Sequence, residues 1–222
     1  MHTSPVVVTV AGHGEATFPP ERCTVSLVVR IETGDVERSV ATATATVKQL
    51  TALIAERFDS DHGPINWWSL DQVRHSRHRP FNQDGLQLPY VYRAEAALEV
   101  KFSRLEAIGA FVDSASTLEG VNIGNFDWAL TTKSRAARIA GVRELAIRDA
   151  QSKAETYAKS VGRSSVHPVA IADPCMLGVD SSSYHGGVGA RVFAAGGAAE
   201  PIALKPENIT LTADVHARFE AW

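Results

Sequence analysis

Two short segments of this chain carry side chains that could hold a metal ion. They are His13-Gly14-Glu15 and, much later in the sequence, Pro174-Cys175. Together they are similar to the ligand pattern of the zinc deaminases, in which one histidine and two cysteines bind the metal. That pattern requires a second cysteine three positions after the first, and position 178 is glycine. The sequence therefore excludes a deaminase-type zinc site.

Other short enzyme motifs are also missing from the sequence. Gly12-x-Gly14 is not a dinucleotide-binding loop, because the third glycine is absent and Pro19-Pro20 follows instead of a helix. Neither the G-x-S-x-G turn of hydrolases nor the H-E-x-x-H helix of zinc proteases occurs. We therefore predict a protein that is not an enzyme and that uses no cofactor and no metal.

The densest run of cationic side chains lies between two tryptophans and a phenylalanine. Its members are Arg74, His75, Arg77, His78 and Arg79, with Trp67, Trp68 and Phe81 nearby. Charge and stacking could bind an anion or nucleic acid here. A two-histidine metal site needs a bulge, because alternate residues of a strand point to opposite faces. The third interpretation, which we favour, is a solvated arm or one that contacts another subunit.

Overall charge and cysteine content narrow the class of protein. The net charge is −3 and the pI is near 6.2, so nothing in the whole-chain charge favours nucleic acid or an anionic membrane. Cys23 and Cys175 are too few and too far apart to indicate a disulfide framework. Cys175, beside Met176 and in one segment with His185, is the one candidate for a redox-sensitive thiol.

The element that organises the chain is a predicted amphipathic helix over residues 133–161. At 100° per residue, one face is mostly alanine; it carries Ala136, Ile139, Ala140, Ala146, Ile147, Ala150, Ala154, Tyr157, Ala158 and Val161. Thr131 or Thr132 is the expected N-cap and Gly162 the expected end. Val142 and Leu145 lie off this face, which makes them candidate contacts between subunits.

The remaining periodicities predict shorter elements. They are a strand over Val6–Val10 closed by Gly12-His13-Gly14, strands at 21–32, 65–75, 90–102, 121–131, 166–172 and 209–219, a helix at 35–57, and a helix opened by a Ser103-to-Glu106 capping box and ending near Gly120. A polar hairpin arm over 74–89, with its turn near Asp84-Gly85, and a flexible loop over 173–200 complete the chain. The order ββαββαβαββ predicts one α+β domain over 1–222, with three helices on one face of mostly antiparallel sheet.

Motifs spread over nearly the whole chain occur in an order known from one family. They are Gly12-x-Gly14-Glu15 after the first strand, Tyr92-x-Ala94, Ala146-x3-Ala150-x2-Lys153-Ala154-x3-Ala158-x3-Gly162, and Pro201-Ile202. In this order they resemble the SIMPL-domain family, a large family of unknown function. The resemblance implies an α+β domain with no established catalytic centre and no catalytic motif to transfer.

The resemblance also implies several properties of relatives. Bacterial relatives are often exported and immunogenic, some assemble into ring-like oligomers, some are associated with tolerance of oxidative stress, and an animal relative is an adaptor for a signalling kinase. The start of this sequence differs, since its apolar run Pro5–Ala11 is too short for a membrane span and has no basic segment before it. We therefore expect no leader, no membrane span and a cytoplasmic location.

These observations favour a non-enzymatic protein that assembles with copies of itself through its helix and its two arms. A small-ligand-binding protein or an enzyme with an unrecognised pocket is the first alternative. Nucleic-acid binding through the basic run is the second alternative, and it is less favoured.

Overall fold

A computed structural model describes residues 4–83, 86–177 and 205–222 of the chain. Its elements are β1 (Val6–Phe18), β2 (Arg22–Thr33), α1 (Val36–Ala55), β3 (Ile65–Leu70), β4 (Arg74–His78), β5 (Val91–Phe102), α2 (Ala107–Ser116), β6 (Val121–Ala129), α3 (Thr132–Ser160), β7 (Val166–Ala172) and β8 (Ile209–Ala221). The predicted turn at Asp84-Gly85, and residues 178–200 of the predicted loop with His185, lie outside the described residues.

The described residues form an α+β protein with antiparallel sheets, as predicted. They divide into two compact units. Unit 1 takes residues 4–18, 131–177 and 208–222, and its three strands are ordered β1-β8-β7. Unit 2 takes residues 19–130 and 205–207, and its sheet is ordered β3-β5-β2-β6 with β4 also paired to β5. The single domain over 1–222 stays a prediction.

The predicted order lacks one strand, because the segment over 65–75 forms two strands. Leu70 pairs with Leu98 of β5, and the next pair is Arg74 with Glu95. The chain therefore advances four residues, from Leu70 to Arg74, over a length in which β5 advances three. The extra residue interrupts the ladder. Asp71 occupies the interruption, where its carboxylate accepts from the Gln72 N–H and pairs with Arg74.

Unit 2 is built around large apolar side chains between its sheet and two helices. The alternation predicted for β2 is confirmed, since Cys23, Val25 and Leu27 are fully buried. The helix predicted at 35–57 is confirmed as α1, and the Asp35 carboxylate accepts from the Arg38 N–H as its N-cap. The predicted capping box is wrong. The Ser103 hydroxyl donates instead to the Gly63 carbonyl, and α2 begins at Ala107 without a side-chain cap.

Unit 1 packs α3 on one face of its three-stranded sheet. The helix was predicted within a residue of its observed bounds, and the Thr131 hydroxyl caps it by accepting from the Ser134 N–H. Its buried face, however, follows a strict four-residue ridge: Val142, Ala146, Ala150, Ala154 and Ala158. Val142 is only 1% exposed, so its predicted position off the buried face is wrong. At the end of the helix, Tyr157 and Val161 are exposed, contrary to prediction.

Candidate functional site

Strand β1 passes through Gly12 and Gly14 without ending, which corrects the prediction that these glycines close it. A Cβ atom on Gly12 would overlap the carbonyl oxygen of Ala146, and one on Gly14 would overlap that of Val142. Glycine is required because the helix backbone lies directly against the strand backbone. This close approach fixes the position of His13, the residue between the two glycines, relative to α3.

His13 lies at the centre of a polar cluster on β1, β8 and α3. Its Nδ1 atom is 2.8 Å from Oδ1 of Asp214, its cross-strand neighbour. Its backbone N–H donates to Oδ2 of Asp149 at 2.8 Å, and Nε2 lies 3.8 Å from the Glu15 carboxylate. Lys153 completes the cluster, with its Nζ atom 2.6 Å from the same Asp149 oxygen.

Asp149 and Lys153 cover the outer edge of β1, which is an edge strand of its sheet. Asp149 accepts from the His13 N–H, and Lys153 donates to the Ala11 carbonyl at 2.9 Å. The two side chains thus satisfy backbone groups that an added strand would otherwise bond. The sequence showed this pair only as a helical i, i+4 ion pair, because its strand partners lie about 140 positions away.

The charges of the cluster shift two pKa values in opposite directions. The hydrogen bond to Asp214 raises the pKa of His13 above its ordinary 6.5, because the carboxylate favours the imidazolium. The hydrogen bond from Lys153 and the one from the His13 N–H lower the pKa of Asp149. The cluster therefore favours the ionised form of Asp149 and the protonated form of His13.

The His13 cluster lacks the enclosure expected of an active site. The side chains of His13 and Asp214 are each more than half exposed, so water competes for every group. A cavity of about 320 Å³ lies elsewhere in unit 1, and its lining includes Glu155, Lys159 and Ser165 but no member of the cluster. In the part of the chain that the structure describes, no three histidine, cysteine or acidic residues are placed to bind a metal ion.

Four of the five residues of the basic run lie in β4, Arg79 directly follows the strand, and all five are exposed. The register places His75 opposite Ala94 and Arg77 opposite Tyr92, while Arg74 and His78 point to the other face. His75 and His78 are therefore on opposite faces, as the alternation predicts. Arg74 is neutralised by Asp71, with 3.0 Å between nitrogen and oxygen.

Arg77 and Arg79 share one aromatic partner. Their guanidinium carbons lie 4.9 and 4.2 Å from the centroid of the Tyr90 ring, and Arg79 also donates to the Gln87 side-chain oxygen. Within residues 4–83, 86–177 and 205–222, neither arginine has a carboxylate partner. Among the described residues, this pair of the predicted basic run therefore has aromatic and amide partners but no acidic one.

The tryptophans predicted to join the basic run are not near it. Trp67 pairs with Lys101 in the ladder, and Arg77 pairs with Tyr92. These partners are nine positions apart on β5, a distance of about 30 Å at 3.3 Å per residue. The Lys101 ammonium lies 4.9 Å from the Trp67 ring, while Trp68 packs against the core of unit 2. One combined stacking and charge surface is therefore not formed.

The two cysteines differ in environment. Cys23 is fully buried in unit 2, and burial raises the pKa of its thiol to about 12, so it stays protonated. Cys175 is exposed and adopts a left-handed backbone conformation with φ of 71°. Its predicted neighbour His185 lies outside the described residues, so its redox role stays a prediction.

Fold and surface together define an α+β protein of two antiparallel sheets, with a polar cluster and a basic strand on its exterior. The sequence model of the SIMPL family, described as proteins of unknown function (DUF541), matches residues 8–219. The chain therefore belongs to the SIMPL family, as its motifs predicted. No curated protein matches it. Among the described residues, no helix is long and apolar enough to cross a membrane.

Proposed function

We propose that this SIMPL protein is a non-enzymatic protein that works by assembling with copies of itself, in a reducing compartment such as the cytoplasm. The resemblance to relatives that form rings and that are associated with stress tolerance supports assembly and a role in stress. Cys23 and Cys175 are both free thiols, which supports the compartment. The exposed His13 cluster and the absence of enzyme motifs support a function without catalysis.

The observation that carries the proposal is the outer edge of β7. This strand lies at one edge of the sheet of unit 1, and no strand among the described residues pairs with its outer side. Val169 and Ile171 of β7 are 54% and 50% exposed. Exposed apolar edge strands readily pair with another chain, because their backbone donors and acceptors are free.

Side chains cover the outer edge of β1, the other edge strand of this sheet, which favours β7 as the contact. Asp149 and Lys153 bond the backbone of β1 at its outer edge. Pro168 of β7 has no N–H to donate, so the pairing segment is residues 169–172. Antiparallel pairing of two β7 strands about a two-fold axis would join two three-stranded sheets into one.

The experiment compares lysine substitutions at the two edges of one sheet. Val169→Lys combined with Ile171→Lys places charge on the β7 edge, and Val7→Lys places it on β1 at a site 58% exposed. Light scattering over a concentration series gives the mass of each untagged protein. We expect a discrete multimer for the wild type and for Val7→Lys, and a dissociation constant at least tenfold higher for the β7 variant.

Two results would overturn this proposal. A wild-type protein that stays monomeric at high concentration removes self-assembly altogether. A multimer unaffected by lysine on β7 removes the β7 edge, and Leu145→Glu then tests the predicted helix contact, since Leu145 is 41% exposed. Val142 is unsuitable for that test, because charge at a buried position would disrupt unit 1 itself.

A further inference from the structure

The end of the hairpin arm, residues 74–89, exposes two large apolar side chains. Phe81 is 89% exposed and Leu86 is 69% exposed, the first being the most exposed large apolar residue of the described chain. They lie on either side of the two residues at the predicted turn, so both belong to the outer part of the arm. Isolated exposed leucines are common on proteins, but an almost fully exposed phenylalanine on the same short arm as a second exposed apolar residue favours a contact surface.

A cationic collar lies directly behind this apolar tip. It consists of Arg77 and Arg79 around Tyr90, and no described carboxylate pairs with either arginine. From position 72 to 92 the sequence has three arginines and a single acid, Asp84. The arm therefore carries positive charge on a protein whose overall charge is negative.

An apolar tip with a basic collar matches the chemistry of an anionic membrane surface. Apolar and aromatic side chains enter the boundary between headgroups and acyl chains, while arginines remain at the phosphates. Tyrosine is common at that boundary, because its ring is apolar and its hydroxyl is wet. We propose that the hairpin arm docks this protein peripherally on a bilayer containing anionic phospholipids, with Phe81 and Leu86 inserted and Arg77 and Arg79 on the headgroups.

Two observations favour a lipid surface over single-stranded nucleic acid. Single-stranded nucleic acid stacks successive bases on several free aromatic faces, but Tyr90 is already in contact with two guanidinium groups, which leaves Phe81 as the one freely exposed ring beside the collar among the described residues. Trp67 and Trp68, the other candidates for stacking, lie about 30 Å away along β5. Leu86, by contrast, adds nothing to base stacking but contributes directly to insertion into a membrane.

The test is sedimentation of the purified protein with vesicles. Vesicles of phosphatidylglycerol mixed with phosphatidylcholine are compared with vesicles of phosphatidylcholine alone. We expect binding to the mixed vesicles only, weakened by added salt because the collar acts through charge. Removing two arginines at the surface, Arg77→Gln with Arg79→Gln, should weaken binding about 30-fold. Phe81→Ser with Leu86→Ser should weaken it at least about tenfold.

Two control variants test whether removing any exposed cations, or any exposed aromatic side chain, would weaken vesicle binding in the same way. Arg135→Gln with Arg143→Gln removes two exposed cations from α3, and Tyr157→Ser removes an aromatic side chain that is 54% exposed there. Neither should change vesicle binding. Unaltered circular dichroism and melting of each variant show that the fold is retained.

Four results would overturn the proposal. The first is no binding of the wild type to the mixed vesicles, and the second is equal binding to phosphatidylcholine alone. The third is an equal loss of vesicle binding in the α3 variants. The fourth is a lower multimer mass of Phe81→Ser with Leu86→Ser, measured in the absence of vesicles. The last result would make the arm a contact between subunits. Retention of polyuridylic acid in place of vesicles, lost with the arginines, would favour nucleic acid.

Discussion

The two units of this protein have cores of opposite construction. Unit 2 fills the space between helices and sheet with large side chains, among them Phe102, Phe111, Leu27 and Leu50, all at most 1% exposed. In unit 1 the alanine ridge of α3 instead lies against Gly12 and Gly14, so that the helix and strand backbones are in direct contact there. One core depends on the volume of side chains, and the other on the proximity of two backbones.

This difference determines which substitutions each unit tolerates. A core of large side chains loses stability when atoms are removed, because a cavity remains. A core of backbone contacts loses stability when atoms are added, because neither backbone can withdraw without separating the helix from the sheet. Removing a methyl group therefore lowers the stability of unit 2, whereas adding one lowers the stability of unit 1.

The largest effect should come from removing volume in unit 2. Phe111 is fully buried and packs edge-to-face on Phe102, with ring centroids 5.3 Å apart. Phe111→Ala should lower the free energy of unfolding of unit 2 by about 3–5 kcal/mol. Amide hydrogen exchange resolved by residue measures this effect, with faster exchange expected in α1, α2 and β5. Protection unchanged in these elements would contradict a volume-filled core.

The next effect should come from adding one methyl group to unit 1. Gly12→Ala places a Cβ atom into the carbonyl of Ala146 and 2.8 Å from the Ala150 Cβ, and should cost about 3 kcal/mol. Gly141→Ala is the matched control in α3, because a Cβ there meets nothing within 4 Å. It should stabilise the helix by about 0.5–1 kcal/mol. Chemical denaturation measures both, and equal effects of the two alanines would refute the close-contact core.

The smallest effect concerns pH, because one titratable group in each unit stabilises the fold with the opposite pH dependence. Because the folded pKa of His13 in unit 1 is raised above 6.5, its stabilisation is complete below pH 6.5 and is lost as pH rises through the raised value. Asp59 in unit 2 has a lowered pKa, caused by hydrogen bonds from the backbone of Asp61 and His62. Its stabilisation is lost in the other direction, as pH falls.

An NMR titration of the His13 imidazole checks this contrast. Asp214→Asn should bring its pKa back toward the ordinary value, since the bond to Asp214 is the largest cause of the shift. Glu15→Gln is the control and should change the pKa less, because Glu15 contributes less. A wild-type imidazole that already titrates at 6.5 would show that the contact with Asp214 is not maintained in solution.

Periodic elements could be predicted from the sequence, and elements defined by distant contacts could not. The alternation of β2 and β5 and the length of α3 are local signals, and all three were predicted closely. The sequence predicts a strand end at Gly12 and Gly14, because a glycine that permits close approach looks the same in sequence as one that permits a turn. The family membership was predictable, because the order of motifs survives this ambiguity.

The candidate site was the least predictable part for the same reason. His13 meets Asp149 and Asp214 across 136 and 201 positions, with no sequence motif linking them. The predicted position of Val142 is wrong because the apolar face was assigned from the average over the whole helix. In the structure, contact with β1 instead buries one ridge of residues spaced four apart. Arg77 and Arg79 were predicted as part of the basic run, but their common partner Tyr90 was not.

The position of β8 at the centre of the sheet in unit 1 has a consequence for synthesis on the ribosome. Both β1 and β7 take β8 as their strand partner, and β8 is made roughly 200 residues after β1 begins. The elements of unit 2 lie in one continuous stretch of chain, and they can pair as soon as that stretch has emerged. While unit 2 is being made, β1 has neither α3 nor β8 beside it, and β8 is the last of the described elements to be made. The glycine-containing strand is therefore the part of the nascent chain that waits longest for its neighbours.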